Sequence, residues 1–560
     1  MGLWVLEPHS NERVPGTVHI GRETEEQARL TANLKRDTGR HSGVVLVPQP
    51  SDSPNDPLNW SYTSRCFQSV FLSCGTGLLA GTHNFLNPAA VQMAKELHTT
   101  VSDVSRSVSL VLLTLGISAV FSSPAARIWG KRPVFLVSNV VAIIGYVIVI
   151  SRPESIKALY AGRSIHGLGI SALEYLVSSS VGDLFFVHQR GFHLALWHFG
   201  LAGGNAIGQV IGSQIAAAQS WHWAFNYVVI VLSAYTIALF FVSPETTYNR
   251  PARFNTDFYE SLSTDSASDL ESNTSDLEEK IEEKTAVASS VSADVETQAE
   301  PPEKKMTYWQ SLRVYNGRFS DENYLRSLIS PFSAYLLPAV SWTAFAYGCS
   351  VAFAASFSVS LSAIFSKAPY HFTTRTTGLT VISSFIGTFL GNCIPGPIAD
   401  WLVKYMSKKN GGVYEPEFRN LLCIPAFILG LMGFWGFGLS LQAKSHWMVP
   451  VFFYGLATFA GSILSLVSNA YLLDCHRAQS QDGYAAVTFG RGIFSFAMTF
   501  VINSWIDKSG VASVFFVIGA LHGLACVLGM VLYVYGKRIR LAVHKSAFIQ
   551  NSLGKLKVVK

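Results

Sequence analysis

Apolar residues gather into long runs along this chain, and the runs fall into two groups of six. The first group lies near residues 66–90, 105–126, 132–151, 157–181, 192–217 and 223–243. The second lies near 331–361, 377–399, 420–441, 447–470, 485–506 and 512–535. Each run is about as long as a helix that crosses roughly 30 Å of hydrocarbon. Lipid supplies no partner for backbone N–H and C=O groups, so runs without strict alternation predict helices rather than barrel strands. The run at 331–361 is long enough to hold a tilted or broken helix.

This pattern predicts an all-α membrane protein of two six-helix bundles. The expected units are a tail at 1–60, a first bundle at 61–245, a linker at 246–328, a second bundle at 329–536 and a tail at 537–560. The linker contains SLSTDSASDLESNTSDLEEKIEEK and VETQAEPPEKK, acidic and poor in large apolar residues, which predicts a solvated, mostly disordered tether. A short charged helix fits around Asp276 to Lys284, and the linker serines are open to either a passive or a phosphoregulated role.

Composition agrees with lipid as the main solvent. Of 560 residues, 49% are hydrophobic and 14% charged, against about 25% charged in a globular domain. The seven cysteines (Cys66, Cys74, Cys349, Cys393, Cys423, Cys475 and Cys526) show no metal-binding spacing, so no disulfide framework, zinc site or cofactor is expected. No nucleotide loop, metal cluster or nucleophile constellation suggests an enzyme, and no nucleic-acid partner is expected. The start, MGLWVLEPHSNERVPGTVHI, lacks a basic segment followed by an apolar one, so the chain is expected to begin in the cytosol without a cleaved leader. Sixteen Lys and Arg fall at one set of helix ends against eight at the other, among them Arg253 and Arg477 on the richer side. That bias predicts both termini in the cytosol.

The stretch FSSPAARIWGKRPVFL, residues 121–136, interrupts two apolar runs with Pro124, Arg127, Gly130, Lys131, Arg132 and Pro133. Gly130 and the prolines suit a tight reversal between helices 2 and 3, and the basic residues suit anionic headgroups. Anchoring alone or a gating role both fit this loop. Aligning S123-P-A-A-R-I-W-G-K131 with G396-P-I-A-D-W-L-V-K404 matches Pro, Ala and Lys in the two halves and sets Asp400 opposite Arg127. A repeated bend after the second helix of each group implies two related bundles that rock about a central site.

These residues carry a resemblance to the major facilitator superfamily, specifically its fungal 12-span drug:proton antiporter branch and a cation/drug subgroup within it. The loop at 124–133 resembles a GPLxExxGRRP pattern. A161-G-R-S-I-H-G-L-G169 resembles a helix-4 RxxqGxG pattern, with Arg163, Gly167 and Gly169 in place and His166 at the usual Gln position. VGDLFFVHQRG resembles the loop after helix 4, matching Asp183, Arg190 and Gly191. PETTYNR, APYHF and KKNGGVYEPEFRN look like subgroup markers. The resemblance implies a major facilitator fold and a gate built from an acid at position 127 with Lys131 and Arg132. Here that acid is Arg127, so the usual charge network cannot form.

Ionisable residues inside spans are functional candidates by default. Arg163 and Glu174 of helix 4 are eleven residues apart, three turns, so they share a face about 16 Å apart and each needs another partner. Glu174 is open to proton coupling, a buried structural hydrogen bond or binding of a substrate cation. Asp183 is expected to organise its loop with Arg190. Arg491, in FGRGIFSF of helix 11, is open to an anionic substrate group, an acidic side chain or snorkelling to the cytosol. In helix 5, Gly200, Gly204, Gly208 and Gly212 form a ridge that permits close packing of another helix. The ridge overlaps the family's antiporter motif, but its Gly-Pro reads Gly208-Gln209. Asn205 and Gln209, one turn apart, either line a cavity or bond a neighbouring helix. His83, His198 and His522 are read as packed or hydrogen-bonded rather than as proton relays.

The expected function is alternating-access transport of a small organic molecule by a monomer in a fungal plasma membrane, with protons as the coupling partner. Export of a drug, toxin or secondary metabolite comes first. Proton-coupled uptake or exchange of organic cations such as polyamines, and a non-transporting nutrient sensor, remain as alternatives.

Overall fold

The computed structural model describes residues 48–250, 304–411, 413–476 and 480–549, with residues 5, 6, 14, 17–19, 35 and 46. The acidic run with the helix expected near Asp276, together with Arg253 and Arg477, lies outside the described residues.

Among the described residues, twelve long helices follow the apolar runs. They are α1 (Tyr62–Asn84), α2 (Val101–Trp129), α3 (Lys131–Ser151), α4 (Ile156–Leu184), α5 (Val187–Ala218), α6 (Trp221–Val242) and α7 (Pro338–Phe365). After these come α8 in two rods (Thr374–Cys393 and Pro395–Lys409), α9 (Cys423–Gln442), α10 (Met448–Cys475), α11 (Ser480–Ser509) and α12 (Val511–Lys545). Among the described residues, nine helices are long and apolar enough by composition to cross a membrane. α1, α4 and α5 fall short because they carry Gln68, His83, Arg163, Glu174 and Gln209 on buried faces. These polar positions face protein rather than lipid.

Local signals set the helix ends. Thr100 and Asp103 form a reciprocal capping box at the start of α2, and the Ser155 hydroxyl accepts from the Ala158 N–H at the start of α4, each satisfying donors that have no intrahelical partner. Pro395 opens the second rod of α8, where its missing N–H interrupts the ladder. Pro124, expected in the turn, lies inside α2 instead, and the reversal falls on Gly130 alone at φ +92°. Ala125, Ala126, Ile128 and Trp129 favour one more turn of helix, and only glycine takes that positive φ without strain.

Each half has its own core. In the first, Tyr146, Phe225, Trp221 and Leu173 are buried together. In the second, Phe357 touches Phe434, Phe437, Tyr454 and Phe515. The glycine ridge of α5 lies on α1: a Cβ at Gly204 would overlap the Gly77 carbonyl, one at Gly208 the Gly81 carbonyl and one at Gly200 the Ser73 carbonyl. Gly212 approaches the Phe85 carbonyl in the same way. The halves meet where α2 runs along α11 and α5 along α8.

Two segments expected to be solvated are packed. Residues 304–327 lie across the first bundle: the Phe319 N–H donates to the Ile128 carbonyl at 2.8 Å, Tyr324 stacks on Trp129, and Arg132 donates to the Leu312 carbonyl at 2.9 Å. The acidic composition upstream hides the aromatics of this stretch, which bind it to the bundle. In the tail, β1 (Val18–His19) pairs antiparallel with β2 (Val413–Tyr414) of the loop after α8, and Val5 is buried against Val403, Met406 and Phe418.

Candidate functional site

A cavity of about 160 Å³ lies between the halves. Its charged lining residues are Glu174 of α4 and Arg491 of α11, joined at 3.0 Å. Both are buried, and Arg491 also donates to the Tyr347 hydroxyl at 3.2 Å with its guanidinium over that ring. Snorkelling of Arg491 to the cytosol is therefore wrong: a buried cation takes the nearest carboxylate and aromatic face. Glu174 Oε2 is buried without a hydrogen-bond partner, so one acceptor of the pair remains for a proton or a ligand.

Asn205 and Gln209 do both things the sequence allowed. They line the cavity, and Asn84 donates to Asn205 Oδ1 at 3.2 Å while Ser358 of α7 donates to Gln209 Oε1 at 2.6 Å. Asn87 in turn donates to the Ser358 hydroxyl at 2.8 Å. The chain of amides and hydroxyls thus crosses from one half to the other. His83 and His198, read as packed, also face the cavity; isolated histidines in apolar sequence gave no signal of that.

The other helix-4 candidates lie elsewhere. Arg163 Nη1 donates to the His83 carbonyl at 2.7 Å, with its guanidinium near Phe85 and Phe225. It closes the last turn of α1, whose carbonyls have no intrahelical donors. His166 sits between Thr82 (Nε2 to Oγ1, 2.9 Å) and the Ala142 carbonyl (3.1 Å), stacked on Tyr146. Both ring nitrogens are engaged inside the first bundle, so neither residue belongs to the cavity.

A second constellation lies at the α2–α3 turn. Arg127 reaches Asp482 at the start of α11 (3.2 Å) and Glu322 (3.7 Å). Its position is basic, and the acids come from the other half and from the segment preceding α7. Lys131 binds Asp183 at 2.5 Å, while Arg190 donates to the carbonyls of Phe185 and Gly182. Asp183 therefore organises its loop through Lys131. Headgroup anchoring of Lys131 and Arg132 is also corrected, since both are buried. Arg132 is held by the carbonyls of Ser243, Phe240 and Leu312, and Glu245 accepts from the backbone N–H groups of Lys131 and Arg132 at 3.0 and 2.9 Å. A carboxylate on the first N–H groups of α3 is favourable for charge and hydrogen bonding alike. In the second half Asp400 is exposed and 3.7 Å from Arg419, whose closer partner is Asp474 at 2.8 Å. Asp474 ends α10 as Asp183 ends α4, so the repeat is carried by Asp474, a residue the motif alignment passed over.

Nearby, outside the spans, burial pushes the Asp56 carboxyl up, but the Arg250 guanidinium and the N–H groups of Leu58 and Ser51 outweigh it and hold the carboxyl below the usual range.

Two bundles around a central, mostly apolar cavity with one buried charge pair are the arrangement of a secondary transporter, and the comparisons agree. The family description "Major Facilitator Superfamily" matches residues 72–497, and the chain belongs to that family. It is similar to an uncharacterized MFS-type transporter of Schizosaccharomyces pombe, 26% identical over 94% of this chain and 93% of that one. It is also similar to the MFS antiporter QDR3 of Candida albicans, 22% identical over 90% and 82%. The fold matches the E. coli xylose transporter XylE in a partially occluded inward-open conformation, with a TM-score of 0.56, 13% identity and coverage of 83% and 97%.

Proposed function

We propose that this transporter exports a small, largely apolar organic molecule across a fungal plasma membrane in exchange for protons, as a monomer with both termini and the α2–α3 turn in the cytosol. The observation that carries the reading is the Glu174–Arg491 pair, one residue from each half, in the cavity between them. While Glu174 is ionised the pair draws the halves together at mid-depth. A proton on Glu174 removes that attraction and leaves Arg491 a buried cation held by Tyr347. Removing one partner of a buried pair costs about 3–5 kcal/mol, enough to shift a two-state equilibrium more than a hundredfold. A protonation event at one residue can therefore bias the orientation of both halves. The antiporter named among the relatives supports exchange as the direction of coupling.

The chain of Asn84, Asn205, Gln209 and Ser358, with Tyr347, Phe357 and Phe434 on the wall, gives the substrate a mostly apolar surface with a few fixed polar contacts. Unpartnered acceptors at Glu174 Oε2 and Asn84 Oδ1 support the second reading, uptake or exchange of an organic cation whose N–H groups would fill them. Vesicles of known orientation decide between the two. With an imposed pH gradient, the first reading expects rhodamine 6G to be moved outward against its gradient. Inward movement of spermidine with no movement of rhodamine 6G selects the second.

A further inference from the structure

Residues 304–326 cross the first bundle as a strap tied to three helix ends. The Tyr308 hydroxyl donates to the Phe241 carbonyl at the end of α6 at 2.7 Å, and Arg132 at the start of α3 donates to the Leu312 carbonyl. Further on, the Phe319 N–H donates to the Ile128 carbonyl, and the Tyr324 hydroxyl donates to the Phe121 carbonyl of α2 at 3.1 Å. The strap therefore follows the rim formed by the ends of α2 and α6 and the start of α3. Phe121, Trp129, Phe240 and Phe241 on that rim are exposed, an apolar edge of the kind that meets lipid.

Two kinds of exposed residue interleave along the strap. Met306, Tyr308, Trp309, Val314, Tyr315 and Leu325 are exposed, Trp309 at 72% and Leu325 at 71%, a pattern unsuited to a surface that meets only water. Beside them stand Lys304, Lys305, Arg313, Arg318 and Arg326, all exposed. The acids of the strap are Asp321 and Glu322, and Glu322 is engaged by Arg127 and the Ser327 hydroxyl. Among the described residues no carboxylate forms an ion pair with any of the five bases. Tyr and Trp rings settle at headgroup level, and Lys and Arg lay their stems along apolar surface while the charge reaches outward. We propose that the strap binds anionic phospholipid headgroups, with Trp309 and Leu325 at the hydrocarbon edge and Lys305, Arg313 and Arg326 on the phosphates. The proposal rests on the reading that puts the α2–α3 turn in the cytosol, the side on which the leaflet is anionic.

This surface accounts for the burial of Lys131 and Arg132. A short turn between spans ordinarily offers its own bases to the membrane. Here the strap lies over the turn, with the Leu312 carbonyl on Arg132 and Phe319 on Ile128, and it presents bases of its own in their place. Headgroups bound along the strap also hold Glu322 in position, 3.7 Å from Arg127, so lipid composition bears on that ion pair. The acidic run upstream in the same chain is the competing occupant by charge. It is poor in large apolar residues, whereas the exposed Trp309, Tyr315 and Leu325 call for a partner that has a hydrocarbon edge as well as negative charge.

Quenching by spin-labelled lipid tests the strap without needing a substrate. The full chain, with its native cysteines replaced and Tyr315→Cys carrying a bimane, is reconstituted in phosphatidylcholine vesicles. These are doped, at one fixed fraction, with phosphatidylserine or phosphatidylcholine spin-labelled high on the acyl chain. Phosphatidylserine is expected to quench about threefold more strongly, because each nearby base enriches anionic lipid, and high salt is expected to erase the difference. Lys305→Gln, Arg313→Gln and Arg326→Gln together should bring the two lipids to equality, and Lys305→Gln alone should remove part of the preference. Lys404→Gln with Lys408→Gln on α8 should leave the preference as it was. An unchanged unfolding temperature in detergent is expected for all of these variants, since every substituted base is exposed. Equal quenching by the two lipids before any base is removed overturns the proposal, as does a preference that survives the triple substitution. Weak quenching by both lipids that rises when residues 254–300 are deleted also overturns it, and assigns the surface to the acidic run. Both leaflets carry the label, so failure here leaves the transport reading intact. A preserved lipid preference in a protein that moves nothing overturns the transport reading alone.

Discussion

Glu174 and Arg491 stand 3.0 Å apart on α4 and α11, buried, and belong to different halves of the molecule. Among the described residues no other Asp, Glu, Lys or Arg lines the cavity, so the pair stabilises the association of the halves only while both members are ionised. Substituting Glu174→Ala should lower stability by about 3–5 kcal/mol, because it strands a buried guanidinium. The double substitution Glu174→Gln with Arg491→Gln should cost less than Glu174→Ala alone. Thermal unfolding of the purified proteins in one detergent orders the variants.

Arg127 has its acids in Asp482, across the interface, and in Glu322, on the segment preceding α7. Arg127→Asp should therefore repel both and slow transport severalfold, and adding Asp482→Arg should recover part of the loss. Transport rates of the single and double variants measure this. Unchanged kinetics in Arg127→Asp would make the position an anchor only.

The contact of α5 with α1 leaves no room at Gly204, where an added Cβ overlaps the Gly77 carbonyl. Gly204→Leu should destabilise the protein by at least the roughly 1–3 kcal/mol of an overpacked core. Gly191 has nothing near it, and Gly191→Ala should differ little from wild type in the same unfolding assay.

Asp56 gives a pH dependence with a definite sign. Its carboxyl is held below the usual range by Arg250 in the folded protein, so its contribution is complete above the unfolded value of about 3.9 and is lost as pH falls through the lower folded one. The stability difference between wild type and Asp56→Asn should be constant from about pH 5 to 8 and shrink only in stronger acid. A difference that changes across neutral pH would contradict the pairing.

Much of the fold was legible because lipid imposes one rule on every span: about twenty apolar residues, helical. The rule is weakest where function resides. α1, α4 and α5 carry enough buried polar groups to fall short of an apolar span, yet their spacing and glycines still mark them as helices. The site was half legible. Glu174 and Arg491 were visible as costly charges, but their meeting was not, since 317 residues separate them and only the packing of α4 and α11 brings them together. Arg163 shows the opposite case: its cost is met locally by the end of α1, a backbone partner that leaves no mark in the sequence. Asp482 and Glu322 were hidden for a related reason, since the alignment of repeats compares the two six-helix units and the ion pairs of Arg127 are made with the other half and with the segment preceding α7. Residues 304–327 were misread because the composition of a long linker averages away its last aromatic stretch.

The most direct test of the account is uphill transport by Glu174→Gln in sealed vesicles carrying a pH gradient. Rhodamine 6G movement is followed with the gradient present and collapsed. The account predicts that wild type moves the dye against its gradient only while the pH gradient stands, and that Glu174→Gln equilibrates the dye downhill but accumulates none. Accumulation by Glu174→Gln equal to wild type would contradict it.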